Sequence, residues 1–282
     1  MHFQEFFVTT AGQVGLLAVF TEFILIITIF SFLGMTVFSL ATKGSVAPEH
    51  RTSSVLTAVI CLVAGCSYLV IRTYFHAMLE TLAKMPLDAT ADRHKLIYGA
   101  YLAIGQFRYM DWTVTTPLLL LKTVEMLKIK PRQIPGTLAV LLCADILMVV
   151  TGYIGEQQID ANGVMQAGPH YTWGVISTVF YLVIPVILYR LYQTHAASVE
   201  HEERQAYRWL AFATVSTWGV YPLGYMVPTL FPNADLNWLH VAFSIGDVWN
   251  KVCLGIVAYL ASARVLEKVL PKEEVQAGRT VG

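Results

Sequence analysis

The sequence predicts an all-α, polytopic membrane protein: seven transmembrane helices in a bundle, with the N-terminus outside. Three observations predict it. Of 282 residues, 56% are hydrophobic and only 13% are charged, too apolar a balance for a soluble domain of this length. The apolar residues gather into seven stretches, each long enough to cross roughly 30 Å of hydrocarbon as a helix. The basic residues concentrate in alternate connectors, the pattern that sets the orientation of a chain in a bilayer.

In order, the spans run over 11 to 42, 52 to 75, 96 to 127, 135 to 155, 171 to 193, 205 to 229 and 237 to 266. The connector over 76 to 95 is long enough for a hairpin or short helix of its own. With the N-terminus outside, the inner ends hold Lys43, Arg51, Lys128, Lys130, Arg132, Arg190, Arg204, Arg208, Arg264, Lys268, Lys272 and Arg279, and the outer ends only Lys84, Arg93 and Lys95. Residues 1 to 266 thus form one transmembrane domain and 267 to 282 a cytoplasmic tail. The first residues, Met-His-Phe-Gln-Glu-Phe-Phe, lack the basic region of a cleavable signal, so the first helix is expected to be retained. Zero net charge gives no reason to expect a nucleic-acid partner. Cys61, Cys66, Cys143 and Cys253 lie in apolar runs and read as small buried hydrophobes, with neither disulfides nor a metal site expected.

The informative residues are the charges inside the spans. Arg108, Asp111 and Lys122 interrupt an apolar segment, and an intramembrane charge costs several kcal/mol unless it faces the protein interior. At helical geometry Asp111, Thr115 and Lys122 fall within roughly 40° of one face, with Asp111 and Lys122 roughly 16 Å apart. Arg108 and Asp111, spaced i,i+3, can pair. In the last span Asp247 and Lys251 stand one turn apart, and Lys251 is too deep to reach the surface. A buried lysine favours its neutral amine, which can attack a carbonyl and form a Schiff base; a purely structural pair with Asp247 is the other reading. The two buried carboxylates, Asp111 and Asp247, are expected to serve one buried cation. Lys122 either works in the interior or snorkels to the inner surface, and Arg72 snorkels outward. Glu22 stands alone in the first span, for a packing or oligomer contact or for proton traffic. Asp145 reads as a protonated, hydrogen-bonded structural carboxyl. Trp112, Trp173, Trp218, Tyr221 and Tyr225 would be core on their own; beside a Schiff-base lysine they suggest the walls of a flat, conjugated ligand.

Three stretches in order carry a resemblance to a known family. Arg-Tyr-Met-Asp-Trp-Thr-Val-Thr-Thr-Pro-Leu-Leu-Leu-Leu at 108 to 121 resembles the third helix of microbial rhodopsins, Trp-Gly-Val-Tyr-Pro-Leu-Gly-Tyr at 218 to 225 the sixth, and Asp247 with Lys251 the seventh. Gly-Tyr-Ile-Gly-Glu at 152 to 156 and Ala-Pro-Glu-His-Arg at 47 to 51 are similar to the bacterial proteorhodopsin-like branch. The resemblance covers all seven spans.

That resemblance implies a bundle closed around a retinal pocket. Lys251 would hold all-trans retinal as a protonated Schiff base, with Asp111 as primary counterion and proton acceptor, Asp247 as second counterion, and Arg108 toward the outside. Thr115 would hydrogen-bond Asp111. Trp112 and Trp218 would sandwich the polyene, Tyr221, Pro222 and Tyr225 would line it, Met148 would approach the ring, and Asp145 would pair with Thr116. Leu119 resembles the residue of green-absorbing members. The motif Asp111, Thr115, Lys122 resembles that of light-driven outward proton pumps, transporters rather than enzymes, in the plasma membrane of a bacterium. Protons, the lipid bilayer and further copies of the chain, as a homo-oligomer of three to five protomers, would be the partners.

The departures from the family pattern matter equally. Most pumps carry a carboxylate where this chain has Lys122, and a lysine donates the inner proton only if it is largely neutral beforehand. A charged Lys122 would slow reprotonation and favour the alternative function, a sensory photoreceptor with a slow photocycle and a transducer partner. A light-gated channel would show glutamates in the second span, which is without them. Where proteorhodopsins pair a histidine with the counterion, ungapped alignment places Ser67, and His76 is too far along the helix to substitute. Glu156 is a candidate for proton release or a solvated carboxylate at a loop edge. Gly174 aligns with the position that is open in xanthorhodopsins carrying a carotenoid antenna; a one-residue shift puts Trp173 there instead.

Overall fold

In a computed structural model, residues 10–160 and 163–280 are described, with side chains up to residue 270. The first residues, with their expected retention, and the end of the tail lie outside the described residues. A short helix α1 (Ala11–Val14) leads into seven passages: α2 (Leu16–Ala41), α3 (Arg51–Lys84), α4 (Thr90–Glu125), α5 (Pro135–Glu156), α6 (Ala167–His195), the broken pair α7 (His201–Trp218) and α8 (Val220–Leu230), and finally α9 (Asn237–Val248) running through a π-helical turn over Trp249–Cys253 into α10 (Leu254–Thr280). Four stretches, Leu16–Ala41, Pro48–Lys84, Pro135–Glu156 and Ala167–Ser198, are long and apolar enough to cross a membrane by length and composition alone. The other passages carry polar and charged groups that the bundle buries.

Apolarity points outward as well as inward. On α2, Phe23, Phe30 and Val37 are 57%, 67% and 67% exposed, an apolar stripe that suits hydrocarbon rather than water. Outward-facing hydroxyls bond back to their own helix: Ser31 donates to the Ile27 carbonyl at 2.8 Å and Thr73 to the Leu69 carbonyl at 2.9 Å.

Two corrections concern the element ends. The second helix continues to Lys84, so the connector expected over 76 to 95 shrinks to residues 85–89, and Arg93 ties it down by donating to the carbonyls of Leu82 and Met85 at 2.8 and 3.2 Å. The last helix runs on to Thr280, past the end expected at 266. Two irregularities have local causes. Pro222 has no N–H to give the Trp218 carbonyl, and the sixth passage breaks there, with the Tyr181 hydroxyl donating to the neighbouring Val215 carbonyl. The π turn inserts one extra residue into the seventh passage at the depth of Lys251. The four thiols are free, and Cys66 and Cys143 face outward, not into the core as the apolar runs suggested.

At the inner end a polar clamp joins three segments. His50 lies 2.6 Å from Glu203, and Lys128 reaches Glu203 at 2.9 Å and Glu49 at 3.3 Å. Lys128 takes a left-handed conformation, φ 55°, just past the end of α4. Partial burial acts against its ammonium, but hydrogen bonds and charge from Glu203 and Glu49 outweigh that and hold its pKa above the ordinary lysine value.

Candidate functional site

The π turn directs Lys251 and its neighbour Asn250 into the bundle, where they are 2% and 3% exposed. Lys251 Nζ is 2.5 Å from Asp111 Oδ2 and 3.7 Å from Asp247 Oδ2. Asp247 is held from both sides: Tyr68 donates to its Oδ2 at 2.8 Å and Tyr221 to its Oδ1 at 2.7 Å. Arg108 donates to the Tyr68 oxygen at 2.7 Å and stands 3.9 Å from Asp247, with His240 at 3.5 Å on its other side. Two cations and two carboxylates therefore share one buried site. Buried charges survive only in such a balance, because each is costly to remove from water unless paired.

Several expectations change in detail. The two carboxylates face two cations rather than one, and Arg108 bonds Tyr68 and approaches Asp247 rather than its helix neighbour Asp111. Ser67 does not reach the counterion: its hydroxyl donates to the Phe107 carbonyl at 3.2 Å, and the second-helix residue at the site is Tyr68. The Thr115 hydroxyl donates to the backbone oxygen of Asp111 at 3.0 Å, while Asp111 Oδ1 has no hydrogen-bond partner among the described residues. Glu22 is not alone. It is buried against His76 at 2.7 Å and Arg72 at 2.9 Å, a packing contact inside the chain that gives the partly exposed Arg72 a carboxylate partner. Tyr68, His240 and Asn250 escaped sequence reasoning; the only signal was that each is polar within an apolar span.

Beside this cluster lies a cavity of about 280 Å³. Trp112, Trp218, Tyr221, Pro222, Thr116, Leu119, Met148, Gly174 and Tyr225 line it, and Lys251 with Asp247 closes one end. Trp112 and Tyr221 meet edge to face, ring centroids 4.7 Å apart. Asp145 is absent from the wall: it sits behind it, fully buried, accepting from the Thr116 hydroxyl at 2.9 Å. Tyr225 stacks on His170 with centroids 3.8 Å apart, and its hydroxyl donates to the His170 carbonyl at 2.7 Å. That pose requires two glycines, since a Cβ at Gly155 would overlap the Tyr225 hydroxyl and one at Gly174 would lie 2.8 Å from its ring. The notch at Gly174 is thus filled from inside by Tyr225, while Trp173 lies against Gly155 of the neighbouring helix. An apolar, indole-flanked cavity with a single amine at one end suits the long, flat ligand anchored at Lys251 that the sequence resemblance implies.

Toward the inner side Lys122 is fully buried, and its amine has no hydrogen-bond partner among the described residues. The snorkelling reading is therefore corrected. Toward the outer side Glu156, the last residue of α5, is 8% exposed and not a solvated loop-edge carboxylate. It faces the cavity beside Arg108 and accepts from Tyr109, and a Cβ at Gly105 would lie 2.9 Å from its oxygen. A carboxyl, an arginine, a lysine between carboxylates and a second lysine thus follow one another along the interior, an order suited to moving protons.

A family profile described as bacteriorhodopsin-like protein matches residues 19–265. Archaerhodopsin-2 of Halobacterium sp. (strain aus-2) is 32% identical over 184 residues, covering 65% of this chain and 67% of that protein. The green-light absorbing proteorhodopsin of Gamma-proteobacterium EBAC31A08 is 23% identical over 237 residues, 80% of each chain. Among solved structures, Exiguobacterium sibiricum rhodopsin superimposes with a TM-score of 0.72 at 25% identity, covering 88% of this chain and 97% of that one. Xanthorhodopsin, described as a light-driven ion pump with dual chromophore, does so with a TM-score of 0.72 at 24% identity, covering 89% and 95%.

Proposed function

This chain belongs to the bacteriorhodopsin-like family, the microbial rhodopsins, multi-pass membrane proteins that bind retinal; from that premise we propose that it is a light-driven outward proton pump in a bacterial plasma membrane. The observation that carries this reading is the carboxylate of Asp111 set 2.5 Å from Lys251 Nζ. Lys251, with Trp112 and Trp218, would hold retinal, which would supply the light-driven change in acidity at the Lys251 nitrogen. Everything else belongs to the chain. Asp111 takes the proton, being an acceptor already in contact and with one oxygen unbonded. Asp247 is held by Tyr68, Tyr221 and Arg108, so its charge stays in place while Asp111 changes state. Glu156, beside Tyr109 and Arg108, passes a proton to the outside.

Lys122 returns a proton to Lys251 from the inner side. No carboxylate partners its amine, so it holds a proton transiently and gives it up again. The alternative is that the Lys122 amine stays charged, in which case the return is slow and the protein is a photosensor read by a transducer. A carotenoid antenna at Gly174 would pack against the Tyr225 ring that fills the notch.

The test is the light-induced pH change of a lightly buffered suspension of cells making the protein with all-trans retinal, with and without a protonophore. Reversible acidification abolished by the protonophore is expected. Coloured protein that cycles in light without any pH change overturns the pump and supports the sensor.

A further inference from the structure

Asn250 is a buried amide with no structural employment. It is 3% exposed, and neither its Oδ1 nor its Nδ2 has a hydrogen-bond partner among the described residues. A side chain kept only for packing would be apolar, because a buried amide without partners is destabilising. Its position gives the reason. Asn250 borders the large cavity that holds Lys251, and it also borders a separate small chamber on the inner side, with Lys122, Thr123, Thr214 and Trp218 in the wall.

That chamber has a volume of about 10 Å³, the space of a single water molecule. Its wall carries the groups a buried water needs. Lys122 Nζ and both Asn250 amide atoms are unpartnered. The hydroxyls of Thr123 and Thr214 spend their protons on Leu119 and Leu210 carbonyls at 2.8 and 2.9 Å, which leaves their oxygens as acceptors. A buried water makes two to four such bonds as a rule, and an apolar chamber would stay dry.

We infer that Asn250 and Lys122 hold one water between them, and that Asn250 is the positioning residue that joins the Lys122 chamber to the cavity of Lys251. The inference rests on the pump reading, in which Lys122 supplies the inner proton. One proton leaves the Lys122 ammonium and one arrives on the Lys251 nitrogen; the water and the amide are unchanged, and Lys122 is left neutral to take its next proton from the inner side. The amide itself carries no proton. It fixes the water that does.

The experiment uses the full chain with retinal in lipid bilayers, its lysines labelled with 15N. Solid-state NMR transfer from water protons to the Lys122 amine, assigned by its loss in Lys122→Met, reads the water contact in the dark. Flash spectroscopy reads the return of the proton to Lys251. Asn250→Leu, close in volume but apolar, is expected to cut the water transfer to Lys122 at least fivefold and slow the proton return at least tenfold, with added azide, a small proton carrier, restoring the rate. Asn250→Ala, which adds no bulk, is expected to show the same rescue by azide and serves if the leucine variant fails to fold. Transfer and return both within twofold of native in these variants, in a protein whose native form acidifies the medium, overturn the role of Asn250 and leave the pump standing. A native protein that moves no protons overturns the pump and this role with it.

Discussion

Tyr68 is where the counterion arrangement is most exposed to test. Its hydroxyl accepts from Arg108 at 2.7 Å and donates to Asp247 at 2.8 Å, so Tyr68→Phe removes both bonds, together with the contact of that hydroxyl with Ser244. The ring stays in place, packed edge-on against Phe32 with centroids 5.4 Å apart and 5.1 Å from the Arg108 guanidinium carbon. A hydrogen bond to a charged group contributes about 1.5–3 kcal/mol, and losing one strands its buried partner. Two such losses are not fully additive. Arg108 already stands 3.9 Å from Asp247 and can close on it, and Tyr221 still donates at 2.7 Å, which recovers about one bond. The net expectation is about 2–3 kcal/mol of lost stability. A double-mutant cycle with Asp247→Asn isolates the pair, read from reversible unfolding in mixed micelles and followed by loss of the visible chromophore band. A coupling of about 1.5–3 kcal/mol is expected, and one below about 0.5 kcal/mol would refute the claim that Tyr68 binds the carboxylate to the arginine.

Three further outcomes follow from the same geometry. Lys122→Met removes the one titratable amine in the inner chamber, so return of the proton to Lys251 should slow by about 100-fold and become proportional to bulk proton concentration; flash kinetics over a range of pH measure it, and an unchanged, pH-independent rate would exclude Lys122 as donor. Gly174→Ala sets a Cβ 2.8 Å from a Tyr225 ring that is pinned by its hydroxyl and by His170, and should cost about 1–3 kcal/mol; Gly168→Ala, on the same helix with nothing within 4 Å, is the control, and equal thermal stability of the two variants would dismiss the close approach. Glu203→Gln loosens the inner clamp at a buried carboxylate and should cost about 2 kcal/mol, below the full loss for a buried pair because Lys128 is 34% exposed. Glu49→Gln, at 43% exposure, should change stability by less than about 0.5 kcal/mol, and parity between these two variants in unfolding would remove the clamp.

What could be read in the chain and what could not divide along a physical line. The intramembrane charges announced themselves because a bilayer penalises each one, so Asp111, Asp247, Lys251, Arg108 and Lys122 stood out against their surroundings. The aromatic walls were legible only in their company. Tyr68, His240 and Asn250 were not, because an uncharged polar side chain costs an apolar helix less than a charge does, and whether it finds a partner is visible only in the folded bundle. Glu22 looked solitary because Arg72 and His76 lie on another helix. Glu156 read as solvated because it ends a helix, yet the helix end turns it inward, against the glycine at 105.

By itself the sequence determined the seven passages and the spacing of groups along each, because apolar length and the helical repeat are properties of neighbours in the chain. Asp111, Thr115 and Lys122 share a face whatever surrounds them. Only the tertiary structure decided which groups meet: Arg108 with Tyr68 and Asp247 in place of Asp111, Tyr68 in place of Ser67, and Asn250 between two cavities. Those meetings depend on how each helix is rotated against the next and on the extra residue of the π turn at Lys251. Rotation is set by packing over the whole bundle, and no local stretch of sequence carries it.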